Sequence, residues 1–154
     1  MGCVLFVQLA QNTKDKEKKG EYMFLHKSCG TLAAGLLVPR LAVRMLTKAP
    51  PAFSNNMVER ALGMASHGAM YGFLILMPVT GVAMGYYGGK GLPFFWTTLD
   101  GAEKKDGKTA GAAFKLHKQF GWYMEMLLLG HVGAAGYHTM AGHKILSRIL
   151  PFGK

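Results

Sequence analysis

The chain has 154 residues, of which half are hydrophobic and 17% are charged, and its formal net charge is +10. Soluble domains carry roughly a quarter charged residues, and disordered basic tails are far less apolar, so neither class fits. A nucleic-acid-binding domain would spread its basic residues over one polar face, whereas here they come in short groups between long apolar stretches. We therefore expect one membrane-embedded domain, residues 1–154, that has no nucleic-acid partner.

The first two segments differ sharply in polarity. Residues 1–11, MGCVLFVQLAQ, are mostly apolar, but as a helix they would cover about 16 Å, half of a bilayer. They lack the basic segment that opens a signal peptide, so we predict a short helix stub; the alternatives are an interfacial anchor and a chain that starts late. Residues 12–21, NTKDKEKKGE, are polar and are predicted to form a solvated loop.

Three longer stretches, residues 22–46, 61–87 and 114–140, are predicted to be transmembrane helices. An apolar stretch of about 18 residues or more can cross a bilayer, and residues 61–89 contain no Asp, Glu, Lys or Arg. That stretch is also rich in Gly and Ala, which let membrane helices pack closely. The fold class predicted from these stretches is all-α, a transmembrane helical bundle with three full spans and the N-terminal stub.

The connections between the spans also carry local signals. Pro50 and Pro51 end one helix, and Ser54 or Asn56 can cap the next one. The later connection contains the sequence PFFW, residues 93–96, whose aromatic side chains suit the interface between membrane and water.

Four of the six histidines fall at two depths of the predicted bundle. His26 and His117 open spans that descend from the same membrane face. His131 follows His117 by fourteen residues, which places it roughly 21 Å deeper and within about 40° of the same helix face. His67, on a span that runs the other way, lies at about the depth of His131.

Two imidazoles at one depth on different helices can hold a haem iron from opposite faces, an arrangement that favours electron transfer over oxygen chemistry. We therefore predict a haem, with His26 and His117 as axial ligands of its iron and His131 as a ligand of a second haem if one is bound. The alternative is a structural, hydrogen-bonded histidine. That interpretation is favoured for His138 and His143, and for His67 it has the same weight as contact with haem.

Three other charged residues of the predicted spans, two arginines and one glutamate, have alternative roles. Arg40 and Arg44 are one helical turn apart; they either reach the membrane surface or bind haem propionates, since Arg suits carboxylates. Glu125 either faces a partner, pairs with a base or is protonated.

Four segments resemble the bacterial-type cytochrome b561 family. They are LHKSCG (25–30), VPRLAVRML (38–46), SHGAMYGFLILMPVTGVAMGYYGG (66–89) and LHKQFGWYMEMLLLGHVGAAGYH (116–138). The resemblance runs from residue 22 to the end of the chain. It implies four transmembrane helices, two b-type haems, and electron transfer from quinol or another small reductant to an acceptor.

The resemblance also implies roles for particular residues. His26 and His117 correspond to the axial ligands of one haem, and His131 corresponds to one ligand of the other. His67, Arg40 and Arg44 match positions of the family pattern as well.

The sequence departs from the family pattern at one place. In the family, the second ligand of the other haem comes from the start of the first helix, but none of the 25 residues before His26 is a histidine. We therefore expect one complete haem site. A second would need His67, or a residue of another chain, opposite His131.

Two functions remain open. The first is a membrane-embedded haem electron carrier, with membrane lipid and quinone as partners. The second is an accessory subunit of a larger respiratory or photosynthetic complex, with one haem or none, in which other membrane subunits fill the position of the missing first helix. Either role is closer to an electron carrier or complex subunit than to a stand-alone oxidoreductase. An organellar inner membrane, mitochondrial or thylakoid, is expected, with a bacterial inner membrane as the alternative.

Overall fold

The computed structural model describes residues 2–48 and 56–143, which form four helices and one small hairpin. The all-α fold class is therefore confirmed. The elements in chain order are α1 (Gly2–Asn12), α2 (Lys16–Leu46), α3 (Met57–Tyr87), β1 (Leu92–Phe94), β2 (Thr97–Leu99) and α4 (Gly107–Met140).

The polar segment predicted as a loop over residues 12–21 is mostly helical. Helix α1 runs to Asn12 and α2 begins at Lys16, so that only residues 13–15 connect them. Asp15 caps α2, because its carboxylate accepts a hydrogen bond of 2.9 Å from the backbone N–H of Glu17. The Lys and Glu residues that follow are good helix formers despite their charge, which is why polarity alone was a poor guide here.

The other two long helices also begin before their predicted starts. Asn56 caps α3 by accepting from the N–H of Val58 at 2.9 Å, as one of the two sequence alternatives proposed. The other alternative, Ser54, and the Pro-Pro pair lie outside the described residues. Helix α4 begins at Gly107, where the carboxylate of Asp106 accepts from the N–H groups of Lys108 and Thr109 at 3.0 and 3.1 Å.

Two of the described helices, α2 and α3, are long and apolar enough to cross a membrane. Only 6% of the residues in the most apolar stretch of each helix are buried against the rest of the chain, and the others are half-buried or exposed. Helix α4 has 34 residues but is less apolar, since it carries Lys115, Lys118 and Glu125. The count of three full spans therefore stays a prediction.

By internal packing, the chain separates into two compact units. The first comprises Met1–Lys48 with Leu74–Gly121, and the second comprises Ala49–Phe73 with Trp122–Lys154. Within the first unit α1 packs against α2, and α2 packs against β1. The interpretation of residues 1–154 as a single domain stays a prediction.

The PFFW sequence forms a β-hairpin that sequence analysis did not predict. Strands β1 and β2 pair antiparallel, with Leu92 opposite Leu99, and the turn places Phe95 at a positive φ of 46°. The backbone N–H of Phe95 donates to Ser28 Oγ at 3.2 Å, and Ser28 is completely buried in α2. Trp96, beside this anchored residue, is 80% exposed. Its placement in an interfacial aromatic belt stays a prediction.

Candidate functional site

His26 and His117 meet within the first unit, although they lie on different helices and are 91 residues apart in the chain. Their ring centroids are 6.2 Å apart and their ring planes differ by 78°. The side chain of His26 belongs to α2 and that of His117 to α4. The predicted pairing of these two histidines is therefore present in the fold, and both are only partly exposed.

His26 is fixed by a hydrogen bond to the backbone of α1. Its Nδ1 lies 2.8 Å from the carbonyl oxygen of Cys3. Because a carbonyl can only accept, Nδ1 must carry the proton, and Nε2 keeps its lone pair. Helix α1 therefore supplies the group that sets the tautomer of His26, and it leaves Nε2 as the atom able to bind a metal.

His117 is held by α3 in a similar way. Its Nδ1 lies 3.0 Å from the hydroxyl oxygen of Thr80, which itself donates to the carbonyl of Leu76 at 2.7 Å. Thr80 is buried, with 8% of its surface exposed. The neighbouring Gly81 is also close, because a Cβ at that position would lie 3.3 Å from Cε1 of His117.

The arrangement fits a haem iron better than a protein-only metal site. A structural zinc site needs four protein ligands and a catalytic one needs three. No group of three or more His, Cys, Asp or Glu side chains suited to a metal occurs among residues 2–48 and 56–143. A haem supplies its own four equatorial nitrogens and needs only two axial protein ligands for bis-His binding.

The separation of the two rings also fits an iron between them. An imidazole–metal bond is about 2 Å, so two imidazoles on opposite faces of one metal have ring centres roughly 6 Å apart. The observed 6.2 Å between His26 and His117 agrees with that value. Both rings have a hydrogen-bonded Nδ1, which is the usual second contact of a metal-binding histidine.

His67 and His131 form a second pair, located in the second unit. Their ring centroids are 5.2 Å apart and their planes differ by 62°. This pair is tighter than the first and His67 is exposed. Among the described residues, neither ring has a hydrogen bond to hold its Nδ1 or Nε2. The two histidines that a second haem would need are thus neighbours, without the supporting contacts seen at the first pair.

The two arginines lie far from the first pair. Arg40 is fourteen residues after His26 on α2, which is about 21 Å along the helix. Arg44 donates from Nη1 to the carbonyl of Thr47 at 3.3 Å, near the end of the same helix. Neither residue belongs to the His26–His117 site. Their binding of haem propionates stays a prediction.

The last two histidines are explained by the end of α4. The N–H of His143 donates to the carbonyl of His138 at 2.9 Å, and Gly142 adopts a φ of 84°. This is the Schellman arrangement that ends many helices. It brings the Nδ1 atoms of the two histidines to 3.1 Å; the structural role favoured for them stays a prediction. Glu125 is half-buried on α4.

Three contributors to the site were missed by sequence reasoning. The backbone carbonyl of Cys3 has no signature in a sequence, because every residue has one. Thr80 and Gly81 do carry a weak signal in the sequence. Within an apolar span, a glycine lets another side chain approach closely, and a neighbouring hydroxyl can hydrogen-bond to it. Only the packing of α3 near α4 shows that His117 is the side chain concerned.

Comparison with known protein families gives a match. The model of the family described as prokaryotic cytochrome b561 matches residues 3–152, almost the whole chain. Among curated proteins, no match was found.

Proposed function

The chain belongs to the prokaryotic cytochrome b561 family, and we propose that it carries electrons through a haem b held between His26 and His117. Membership makes it an integral membrane protein that binds haem b and acts in electron transfer. The assignment of the ligands is the finer claim. The observation that carries it is the pairing of two histidines whose Nδ1 atoms are both engaged, at a ring separation of 6.2 Å.

Each residue of the site has a definite task in this proposal. The bound haem supplies a one-electron Fe(III)/Fe(II) couple. His26 and His117 would hold the haem iron through Nε2, which would leave no position open for oxygen or substrate. The Cys3 carbonyl and the Thr80 hydroxyl accept the Nδ1 protons, which fixes both tautomers and makes the imidazoles stronger electron donors.

The partners and the membrane belong to the proposal as well. A quinol or another small reductant is the proposed donor. The family is prokaryotic, so the organellar inner membrane expected from the sequence receives no support. We infer a bacterial inner membrane, which sequence analysis held as the alternative, with lipid around the outward-facing apolar side chains of α2 and α3.

Difference spectra of the purified chain test this function. The protein is isolated in mild detergent, and its spectrum is recorded after oxidation by ferricyanide and after reduction by dithionite, ascorbate or duroquinol. An α band typical of b-type haem, produced by dithionite and by duroquinol, is expected. A chain that shows no α band with any reductant would contradict haem binding. A band produced by dithionite or ascorbate and not by duroquinol would overturn quinol as the donor.

The alternative role, an accessory subunit of a larger respiratory or photosynthetic complex, predicts a different outcome at purification. Such a subunit would be recovered with other membrane proteins in stoichiometric amounts from its native membrane. An isolated, stable chain that is reduced by duroquinol would contradict the alternative.

A further inference from the structure

Two adjacent residues of α3, Thr80 and Gly81, lie against the imidazole of His117. Neither is expected to touch the iron. We propose that Thr80 and Gly81 are positioning residues, which set the tautomer and the ring orientation of His117 so that its Nε2 is presented to the metal. This inference rests on the proposed function, because it assumes that His117 is an axial ligand.

The hydroxyl of Thr80 fixes the position of the proton on His117. The hydroxyl has one proton to donate, and the shortest of its three contacts is to the carbonyl of Leu76, at 2.7 Å; the carbonyl of Met77 is at 3.1 Å. With its proton directed to those carbonyls, Oγ1 can only accept at its third contact, Nδ1 of His117 at 3.0 Å. Nδ1 must then be the protonated nitrogen, and Nε2 keeps a lone pair for the metal.

Position 81 has little room for a side chain beside His117. A Cβ at position 81 would lie 3.3 Å from Cε1 and 3.6 Å from Nδ1 of His117. The first of these distances is shorter than an ordinary contact between carbon atoms, which is about 3.5–4.0 Å. Glycine therefore lets the ring lie close to the backbone of α3, where the hydroxyl of Thr80 can reach it.

The hydrogen bond to Thr80 should also affect the iron. An acceptor on Nδ1–H raises the basicity of the imidazole, and a more basic axial ligand favours Fe(III) over Fe(II). Removing the acceptor should therefore weaken ferric haem binding more than ferrous binding and raise the midpoint potential. Loss of an outer contact of this kind typically weakens metal binding by 10–100-fold.

The test compares isosteric variants of the full chain. Thr80→Val removes the hydroxyl and keeps the shape, whereas Thr80→Ser keeps the hydroxyl. Thr139→Val is the matched control, since Thr139 also donates from its hydroxyl to the carbonyl four residues earlier, that of Ala135. For the space argument, Gly81→Ala is compared with Gly72→Ala, where an added Cβ meets no described atom within 4 Å.

Haem titration into the apo-protein and potentiometry are the two readouts. Thr80→Val should weaken ferric haem binding about tenfold and, if ferrous binding is unchanged, raise the midpoint potential by about 59 mV, the value of a tenfold change for one electron. Thr80→Ser and Thr139→Val should match the wild type. Gly81→Ala should weaken binding and shift the α band, and Gly72→Ala should not.

The outcomes separate this inference from the proposed function. A wild-type chain that binds no haem contradicts the proposed function itself. If the wild type binds haem, and Thr80→Val and Gly81→Ala bind it with the same affinity and midpoint potential, only the positioning role is overturned. The positioning role is also overturned if Thr80→Ser weakens haem binding as much as Thr80→Val does. If Thr80→Val does not fold, as judged by circular dichroism and gel filtration, Thr80→Ala and Gly81→Ala decide by the same readouts.

Discussion

The two histidine pairs of this protein have similar spacing but different surroundings. His26 and His117 have ring centroids 6.2 Å apart, and His67 and His131 have theirs 5.2 Å apart. At the first pair, both Nδ1 atoms are hydrogen-bonded to groups on other helices. At the second pair, the described residues provide no such bond.

Proximity alone therefore does not make two histidines a ligand pair. A neutral imidazole has two tautomers, and only the one with its lone pair directed to the metal can bind. At the first pair, hydrogen bonds to the Cys3 carbonyl and the Thr80 hydroxyl fix the tautomer before haem binds. At the second pair the tautomer would become fixed only when haem binds, which would lower the affinity for haem. We therefore expect haem to bind at the first pair and not at the second.

The largest expected effect comes from removing a ligand of the first pair. His26→Ala or His117→Ala leaves the iron with one axial protein ligand, so the α band in the reduced-minus-oxidised spectrum should be lost. His138→Ala, at the end of α4, is the control and should keep the band. A spectrum that survives both ligand substitutions would show that the pair was wrongly assigned.

A smaller effect is expected from breaking the hydrogen bond between Ser28 and the β-hairpin. Ser28, completely buried, accepts from the N–H of Phe95 at 3.2 Å. Ser28→Ala leaves that N–H without its acceptor, which should reduce stability by about 1–3 kcal/mol and expose the hairpin to protease. Thermal unfolding and limited proteolysis measure the two effects.

Ser66→Ala is the matched control for this change, since the Ser66 hydroxyl only donates to the carbonyl of Gly63 in its own helix. Equal thermal midpoints for the two variants would contradict a role for Ser28 in holding the hairpin.

The start of α4 allows a pH test with a still smaller effect. Hydrogen bonds from the Thr109 hydroxyl and from backbone N–H groups lower the pKa of the Asp106 carboxyl. A lowered folded-state pKa means that this carboxylate stabilises the fold above its unfolded pKa, and that the contribution is lost as pH falls through the folded pKa. Asp106→Ala should therefore lower the thermal midpoint at pH 7 more than at acidic pH.

Asp106→Asn controls for the cap, since Asn also caps helices but does not titrate. A difference between the wild type and Asp106→Asn that does not change with pH would contradict this account of the carboxylate.

Sequence reasoning found the helices and both histidine pairs for a physical reason. The long apolar stretches predict the helices, and helix geometry converts the spacing of His117 and His131 into two levels. The prediction of a loop over residues 12–21 was wrong, because capping by Asp15 and the helix propensity of Lys and Glu outweighed the polarity of this segment.

The hairpin and the groups that orient the histidine ligands could not be predicted from the sequence. The hairpin depends on a contact between Phe95 and Ser28, which are 67 residues apart. The Cys3 carbonyl is 23 residues from His26, and Thr80 is 37 residues from His117. Such long-range contacts follow from how the elements pack, and no local pattern encodes them.

The smallest expected effect is at the second pair. His67→Ala and His131→Ala should leave the haem content and the α band as in the wild type. Pyridine haemochrome analysis against protein concentration measures that content. A fall in either variant would mean that the second pair also holds haem.

The number of haems per chain in the wild type tests the central claim most directly, when it is measured beside His117→Ala and His131→Ala. We expect one haem b per chain in the wild type and in His131→Ala, and none in His117→Ala. Two haems in the wild type with one left in His131→Ala, or one haem that persists in His117→Ala, would contradict it.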